Sequence, residues 1–488
     1  MSGLQPGWLE HRASVLPGHT AAVFGSTRVT YAELHRRAAA LGSALVYGGI
    51  RPGDRVALLA ANSLEFIESV HAVPRAGAIL VPLNSRLATD ELEWQLRDSG
   101  ARALLCHQPT WAAATKAASA AGIPALPLPL KRESPAAALR DSFVLDDVHS
   151  IIYTSGTTGR PKGAMLTFGN FWASAAASAF NLGLDPNDRW LACMPLFHVG
   201  GLSILLRSVI YGTTAVIHPA FDEAGVNRAL REDGVSIVSV VSTMLQRMLD
   251  ADALPYPESV RVVMVGGGPV PKPLLERALD RGLPVVQTYG LTEAASQVAT
   301  ITPSEAVAHL GSAGKPLITT AVRINAPEGE PGEILVAGPT ITSGYWNNPE
   351  ATAGALIDGW LHTGDIGRID SEGYLYVLDR RDDLIVSGGE NVYPAEVESA
   401  ILAYPGIRAA AVVGLADQEW GQLVAAAIVA EPGADVAGLQ SFLRERLAGF
   451  KVPRIIHEFP ELPVTANGKV LRRTVRESLE GTGAAPIQ

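Results

Sequence analysis

Apolar residues over the first 150 positions follow two alternating rhythms. Thr30-Tyr-Ala-Glu33 has the spacing of a capping box, and the segment after it places Leu34, Ala38, Leu41 and Leu45 on one face of a predicted helix that Gly48-Gly49 stops. Arg55 to Ala60 reads as a short apolar strand, Ser63 to Val73 as a helix ended by Pro74, and Gly77 to Pro82 as a second strand. A third round follows, with a helix over Thr89 to Asp98 and a strand over Ala101 to Cys106. Strands alternating with helices predict βαβ units and a parallel sheet. Residues 128–148 mix Pro, Lys, Arg, Ser and Asp without a period and predict a linker or variable loop. The pattern resumes in strands over Ala215 to His218, Ile237 to Val241, Val260 to Val265 and Val285 to Gln287.

The rhythm changes in the last third. Gly332 to Ala337 and Gly373 to Leu378 alternate like antiparallel strands, and Asp379-Arg-Arg-Asp-Asp383 is a charged interruption that reads either as a solvated turn or as a boundary. Helix Ala395 to Ala403, strands Ala409 to Gly414 and Leu423 to Val429, and helix Ala437 to Leu447 then form a smaller α+β unit of roughly 100 residues, a usual size for a domain. The division expected is a large domain over 1–379 and a small one over 380–488.

A chain of 488 residues that is 47% hydrophobic is long enough for two or three packed cores. Its formal charge of −10 supplies no global basic field, so nucleic acid is not an expected partner, and any anionic ligand must be held by local groups. Cys106 and Cys193 are the two cysteines, far apart in sequence, which suits a reducing compartment and argues against a disulfide scaffold or a structural zinc site. Residues 1–25 lack a basic stretch followed by an apolar one, and no apolar run reaches about 18 residues, so a cytoplasmic protein without stable membrane insertion is expected. Assembly into a homo-oligomer is left open.

Tyr153-Thr-Ser-Gly-Thr-Thr-Gly-Arg-Pro-Lys-Gly163 carries the strongest chemical signal. Its glycines, Gly156 among them, allow backbone N–H groups to approach anionic oxygens. Thr154, Ser155, Thr157 and Thr158 add hydroxyl donors, and Lys162 adds charge, so the segment reads as a grip for polyphosphate. It lacks the spacing of a Walker A loop. Gly266-Gly267-Gly268-Pro269 follows one apolar strand and Tyr289-Gly-Leu-Thr292-Glu293 another, at the carboxyl ends where open α/β sheets bind ligands. Trp360-Leu-His-Thr-Gly-Asp365 puts a carboxylate in a predicted turn, where it could also merely cap the next element. Pro463-Val-Thr-Ala-Asn-Gly-Lys469 ends in a lysine which, taken alone, reads as a solvated one.

These motifs, in this order from about Thr30 to Arg473, resemble the adenylate-forming superfamily of acyl-CoA and aryl-CoA synthetases, peptide-synthetase adenylation domains and beetle luciferase. The resemblance implies an α/β fold: a large N-terminal adenylate-forming domain of βα-layered sheets with a small β-barrel-like part, then a small mobile α+β C-terminal domain. It implies a hinge near 380–383 pivoting on Asp382. It also implies ATP, Mg²⁺ and coenzyme A as co-substrates and cofactor, with a small carboxylic acid as the group activated. Tyr289 would stack on adenine beside Gly267, Gly268 and Pro269, Thr292 would meet phosphate, and Glu293 would contact Mg²⁺, a hard ion that prefers oxygen ligands. Asp365 and Arg380 would hold ribose. His362 stands where the family often has Tyr, a departure that leaves Asp365 untouched. Lys469 would steady charge while the acid attacks ATP, and Gly388 and Gly389 would let a pantetheine arm pass close to backbone.

Pro195-Leu-Phe-His198-Val-Gly-Gly201 lies between the phosphate loop and the adenine turn; His198 is read as a packing or gating residue, with direct acid–base chemistry the lesser alternative. Arg207 falls in an apolar helix, where snorkelling to solvent is the ordinary expectation and a second ligand carboxylate the other use. The residues around these positions are similar to the 2-succinylbenzoate:CoA ligase branch of the superfamily. That branch implies an aromatic dicarboxylate, with Ser296, Gln297, Thr243 and Arg207 as candidate anchors for its second carboxylate. A medium-chain or aryl acyl-CoA synthetase, or a standalone adenylation enzyme loading a carrier protein, remain the alternatives.

Overall fold

The structure is a computed structural model and describes residues 4–130, 136–154, 160–267, 272–327, 329–380, 385–392, 394–463 and 472–481. The chain divides into two compact units. The first comprises Met1–Ser85, Leu96–Ile152 and Gly163–Asp379; the second comprises Arg86–Gln95, Tyr153–Lys162 and Arg380–Gln488.

A nine-stranded sheet organises the first unit, in the order Lys315–Pro316, Ser296–Thr300, Val285–Leu291, Val262–Gly266, Ile237–Val241, Arg189–Ala192, Thr214–Ile217, Thr20–Phe24, Thr27–Thr30. Its middle strands are parallel, and their registers align Val241 with Gly266 and Val265 with Gln287, so successive carboxyl ends finish side by side. A six-stranded sheet runs Lys162–Thr167, Val148–Thr154, Ile79–Pro82, Arg55–Leu59, Ala101–His107, Ala125–Leu128. An antiparallel sheet of Ala321–Asn325, Gly332–Ala337, Trp360–Ile369, Leu356–Ile357 and Leu375–Arg380 supplies the half-barrel. The fold is thus α/β with layered sheets, an antiparallel half-barrel and a smaller α+β part.

Local signals account for many of these elements. Thr30 and Glu33 form both bonds of the capping box, Glu33 N–H to Thr30 Oγ1 at 3.3 Å and Thr30 N–H to Glu33 Oε2 at 2.9 Å. Leu34, Ala38 and Leu45 on the following helix, Tyr31–Tyr47, are fully buried. Pro74 does not end its helix, which spans Leu64–Arg75 and stops at Ala76 before Gly77 at φ +81°. A proline in the last turn removes one bond, and the turn survives because Pro74 is packed in the core. The expected linker over 128–148 contains a strand, Ser142–Val144, paired antiparallel with Leu4–Pro6. Phe143 from that strand stacks on Phe168 at 4.3 Å. Three residues carry too little period to be seen, and their partner strand is more than 130 positions away.

The second unit has a five-stranded sheet: Glu390–Val392, Ile385–Ser387, Gly421–Ala430 and Ile407–Asp417 in order, with Ile455–Glu458 joined in parallel to Gly421–Ala430. Helices Pro394–Leu402 and Leu439–Arg446 bury Val397, Ile401, Leu439 and Leu443 against Val412 and Val424. The expected pivot, Asp382, lies outside the described residues. Among those described, no helix is long and apolar enough to cross a membrane.

Candidate active site

The carboxyl ends of the parallel strands form one edge of the site. Gly266 ends its strand so close to the next that a Cβ would meet Thr288 Cγ2 at 2.8 Å, and Gly267 takes φ +80°. Glycine is required at both. Gly268 and Pro269 lie outside the described residues. Thr243 stands in the first turn of helix Ser242–Ala251, directly after Val241, which is in register with Gly266.

The strand Val285–Leu291 outruns its parallel partner and pairs antiparallel with Ser296–Thr300, with a register shift between Tyr289 and Gly290. At Gly290 a Cβ would fall 1.8 Å from the Ser296 carbonyl oxygen, so the two strands close only over glycine. This closure leaves Tyr289 buried, and its hydroxyl donates to Asp365 Oδ2 at 2.6 Å. Asp365 sits not in a turn but within the strand Trp360–Ile369, 7% exposed. Its N–H donates to Thr363 Oγ1 at 3.0 Å, and Thr363 Oγ1 donates to the Ile334 carbonyl at 2.7 Å. His362, the departure from the family pattern, is held by Glu333 at 3.0 Å. Glu333 also accepts Gly364 N–H at 2.9 Å, which fixes the backbone beside Asp365.

Of the predicted phosphate loop, Ser155, Gly156, Thr157 and Thr158 lie outside the described residues, and its two ends are described. Thr154 closes the strand Val148–Thr154 and donates to the Lys162 carbonyl at 3.4 Å, which brackets the loop. Just beyond Lys162, Gly163 O accepts Trp346 N–H at 2.8 Å, Ala164 bridges to Tyr345, and Met165 N–H donates to Gly344 O at 2.9 Å. From this clasped segment Tyr345 Oη donates to Glu293 Oε1 at 2.9 Å, while Thr342 N–H donates to the Glu293 carbonyl at 2.7 Å. Residues leaving the predicted phosphate loop are thereby tied to Glu293, next to Thr292 in the one-turn 3₁₀ helix Thr292–Ala294. Tyr345 was not among the expected residues. A phenol in Ser-Gly-Tyr-Trp carries no chemical signature by itself.

The residues expected to choose the acid form a second group. His198 precedes helix Val199–Tyr211, half-buried with its ring 4.6 Å from that of Phe197. Gly201 is indispensable to the turn, since a Cβ there would sit 2.4 Å from Pro195 O. Arg207 does not snorkel; it is 3% exposed. Its Nη2 donates to Ser174 Oγ at 2.8 Å, and Ser174 Oγ donates to Ala295 O at 2.7 Å. Among the described residues no carboxylate pairs with it, Nε has no partner, and burial pushes its pKa below the ordinary arginine value. The bonded chain ends one residue before Ser296, and Ala295 and Ser296 both hold positive φ, +51° and +101°. Gln297 is buried, its Nε2 donating to Thr300 Oγ1 at 2.9 Å, while Oε1 is left without a partner among the described residues. Arg207 is thus linked through Ser174 to the backbone next to Ser296, while the Gln297 side chain is held by Thr300.

In the second unit, Gly388 and Gly389 make the turn between strands Ile385–Ser387 and Glu390–Val392 with φ of +58° and +81°. A Cβ on Gly388 would meet the Trp420 ring at 2.7 Å. Arg380 ends the strand Leu375–Arg380, and its side chain, like Lys469, is outside what the structure describes.

Residues 9–346 match the family model for AMP-binding enzymes, and 396–469 that for the AMP-binding enzyme C-terminal domain. A 2-succinylbenzoate–CoA ligase from Bacillus cereus is 44% identical over 486 residues, covering 98% of this chain and all of the relative. Among solved structures, o-succinylbenzoate CoA synthetase from Bacillus subtilis, a double mutant bound with its product analogue OSB-NCoA, matches at TM-score 0.93 with 40% identity over 97% of this chain and 99% of that one. The same enzyme with the acyl-adenylate intermediate OSB-AMP matches at 0.76, with 40% identity over 97% and 98%. With ATP and a magnesium ion it matches at 0.75, with 39% identity over 96% and 99%.

Proposed function

The chain belongs to the family of AMP-binding enzymes, and from that premise we propose that it is an ATP-dependent, AMP-forming acid:CoA ligase acting on 2-succinylbenzoate. The observation that carries the choice of acid is Arg207, a guanidinium buried without a carboxylate partner among the described residues and linked through Ser174 to the backbone before Ser296. An unpaired charge in such surroundings costs several kcal/mol, and a ligand carboxylate offsets that cost. 2-Succinylbenzoate has two carboxylates, one aliphatic to be activated and one aromatic to be held.

The reaction then divides in two. The aliphatic carboxylate attacks the α-phosphorus of ATP, the bond to pyrophosphate breaks, and an acyl-adenylate forms. The CoA thiol attacks the activated carbonyl, the bond to AMP breaks, and the thiol proton passes to solvent. Tyr289 and Asp365, already bonded to each other, are the groups we assign to adenine and ribose. Glu293 fits Mg²⁺, having hard carboxylate oxygens, a half-buried position and a place beside the strand that leaves the phosphate loop. Bound Mg²⁺ neutralises charge on the phosphates. Thr154, Ser155, Gly156, Thr157, Thr158 and Lys162 are assigned to the polyphosphate, Arg380 to ribose, and Gly388 and Gly389 to the pantetheine arm. Lys469 is assigned to the first half-reaction, with Asp382 as the pivot of a domain over 380–488. A cytoplasmic setting belongs to the same reading, supported by the two buried, unbridged cysteines.

The test is Lys469→Ala. Exchange of pyrophosphate into ATP, driven by 2-succinylbenzoate, is expected to be abolished, while transfer of a supplied acyl-adenylate to CoA persists. Equal loss of both half-reactions would remove Lys469 from this role.

A further inference from the structure

Two sets of ion pairs within the second unit fasten its segment Arg86–Gln95 to its segment Arg380–Gln488. Arg86 Nη1 donates to Glu390 Oε1 at 2.7 Å, on a carboxylate 4% exposed. Lys451 Nζ donates to Glu91 Oε1 and to Glu396 Oε1, both at 2.7 Å, and all three side chains are nearly inaccessible at 5%, 12% and 8%. Glu91 uses its other oxygen to accept Ala88 N–H at 2.9 Å, which fixes the carboxylate against the start of its own helix and aims it at the lysine. Glu396 lies in the first turn of Pro394–Leu402. Burial alone would lower the Lys451 pKa, but the charges of Glu396 and Glu91 outweigh it and hold the ammonium protonated.

Buried ion triads are seldom better than apolar packing for stability, so the geometry points to a positional role. What they position follows from chain order. Glu390 directly follows Gly389, and Glu396 lies in the first turn of the helix after the hairpin, so both sets of pairs hold the chain as it leaves the Gly388–Gly389 turn, one at the edge of the turn and one on the helix beyond it. We propose that Arg86, Glu390, Glu91, Lys451 and Glu396 form a latch that sets the Gly388–Gly389 turn for the thiol-transfer half-reaction and is dispensable for adenylate formation. This rests on the ligase reading and adds positioning residues to it; none of the five touches a reacting atom.

The two half-reactions are measured apart on the full chain: pyrophosphate exchange with 2-succinylbenzoate in the absence of CoA, and single-turnover transfer of the preformed acyl-adenylate to CoA. Arg86→Ala and Lys451→Met are each expected to slow transfer at least about tenfold, with exchange held within about twofold. Lys451→Arg, which keeps the charge between the two carboxylates, is expected to recover most of the rate. Transfer unchanged, or both half-reactions slowed alike, overturns the latch. Should Lys451→Met fail to fold, Arg86→Ala decides, because its side chain is 51% exposed. A wild-type protein that runs neither half-reaction overturns the ligase reading and the latch together, an outcome distinct from loss of the split.

Discussion

Replacing Arg207 by Met separates recognition of a second carboxylate from the stability of the protein. The guanidinium is 3% exposed, lies 5.8 Å over the Trp190 ring and makes its side-chain bond to Ser174 at 2.8 Å. Methionine fills much of the same space with an apolar chain. On folding, the substitution loses one hydrogen bond, about 1 kcal/mol, and removes a buried-charge penalty of several kcal/mol. The thermal midpoint is therefore expected to hold or rise. On binding, it removes a charge-assisted contact to carboxylate inside a dry site, about 3 kcal/mol, so kcat/KM for 2-succinylbenzoate is expected to fall roughly 150-fold. The control acid is 4-oxo-4-phenylbutanoate, the same keto acid without the ring carboxylate. Wild type should use it poorly, because it leaves Arg207 buried and unpaired, and the variant should use it at least as well as wild type. AMP release is followed for both proteins with both acids at saturating ATP and CoA. If the variant loses equally on the two acids, or melts several degrees lower, Arg207 supports the fold and does not read the substrate.

Tyr289→Phe deletes a 2.6 Å bond to the buried Asp365 carboxylate, so the KM for ATP is expected to rise about tenfold or more while the KM for CoA is unchanged; coupled initial-rate kinetics measure both. Gly290→Ala puts a methyl where Ser296 O stands 1.8 Å away, and the hairpin must open to admit it. Limited proteolysis between 286 and 300 is expected to accelerate, and activity to fall with both acids alike. His71 and His149 line one small cavity beside the Glu10–Arg75 ion pair, and burial drives both pKa values down to about 3. The unfolded chain takes up these protons near pH 6.5 and the folded chain does not, so their contribution is complete above that pH and lost as pH falls toward 3. The loss is about 2 kcal/mol per histidine by pH 5. Urea midpoints at pH 7.5 and 5 measure it, and His149→Phe is expected to halve the difference.

What the sequence disclosed depended on how local the cause was. The Thr30–Glu33 box, the glycines at strand ends and the alternation of strands with helices are written within a few residues, and each emerged as an element near its expected bounds. The burial of Arg207, in place of the snorkelling its helix suggests, is not legible in sequence, because apolar neighbours on its own helix say nothing about Ser174 and Trp190, which come from elsewhere and close over it. Tyr345 escaped notice for a related reason: its significance is the bond to Glu293, 52 positions earlier, and the backbone bridge to Ala164 that places it there. The strand Ser142–Val144 is held by partners near the amino terminus, so its own residues could not announce it. Asp365 was expected in a turn, yet its carboxylate met Tyr289 all the same, because a strand next to a glycine closure presents side chains as fixedly as a turn does.

The hairpin that begins at Val285 and returns through Ser296 has a consequence for how such an enzyme can diversify. Its outgoing strand carries the tyrosine that clasps Asp365, and its returning strand starts at the backbone reached by Arg207 through Ser174. On the roles proposed above, nucleotide grip and acid preference are two ends of one short peptide. Lengthening or trimming Leu291 to Ala295 would therefore misplace both at once, whereas exchanging side chains on the returning strand would disturb one. New appetites for acids in this lineage are expected to arise by replacement at fixed length, with the corner itself inherited unaltered.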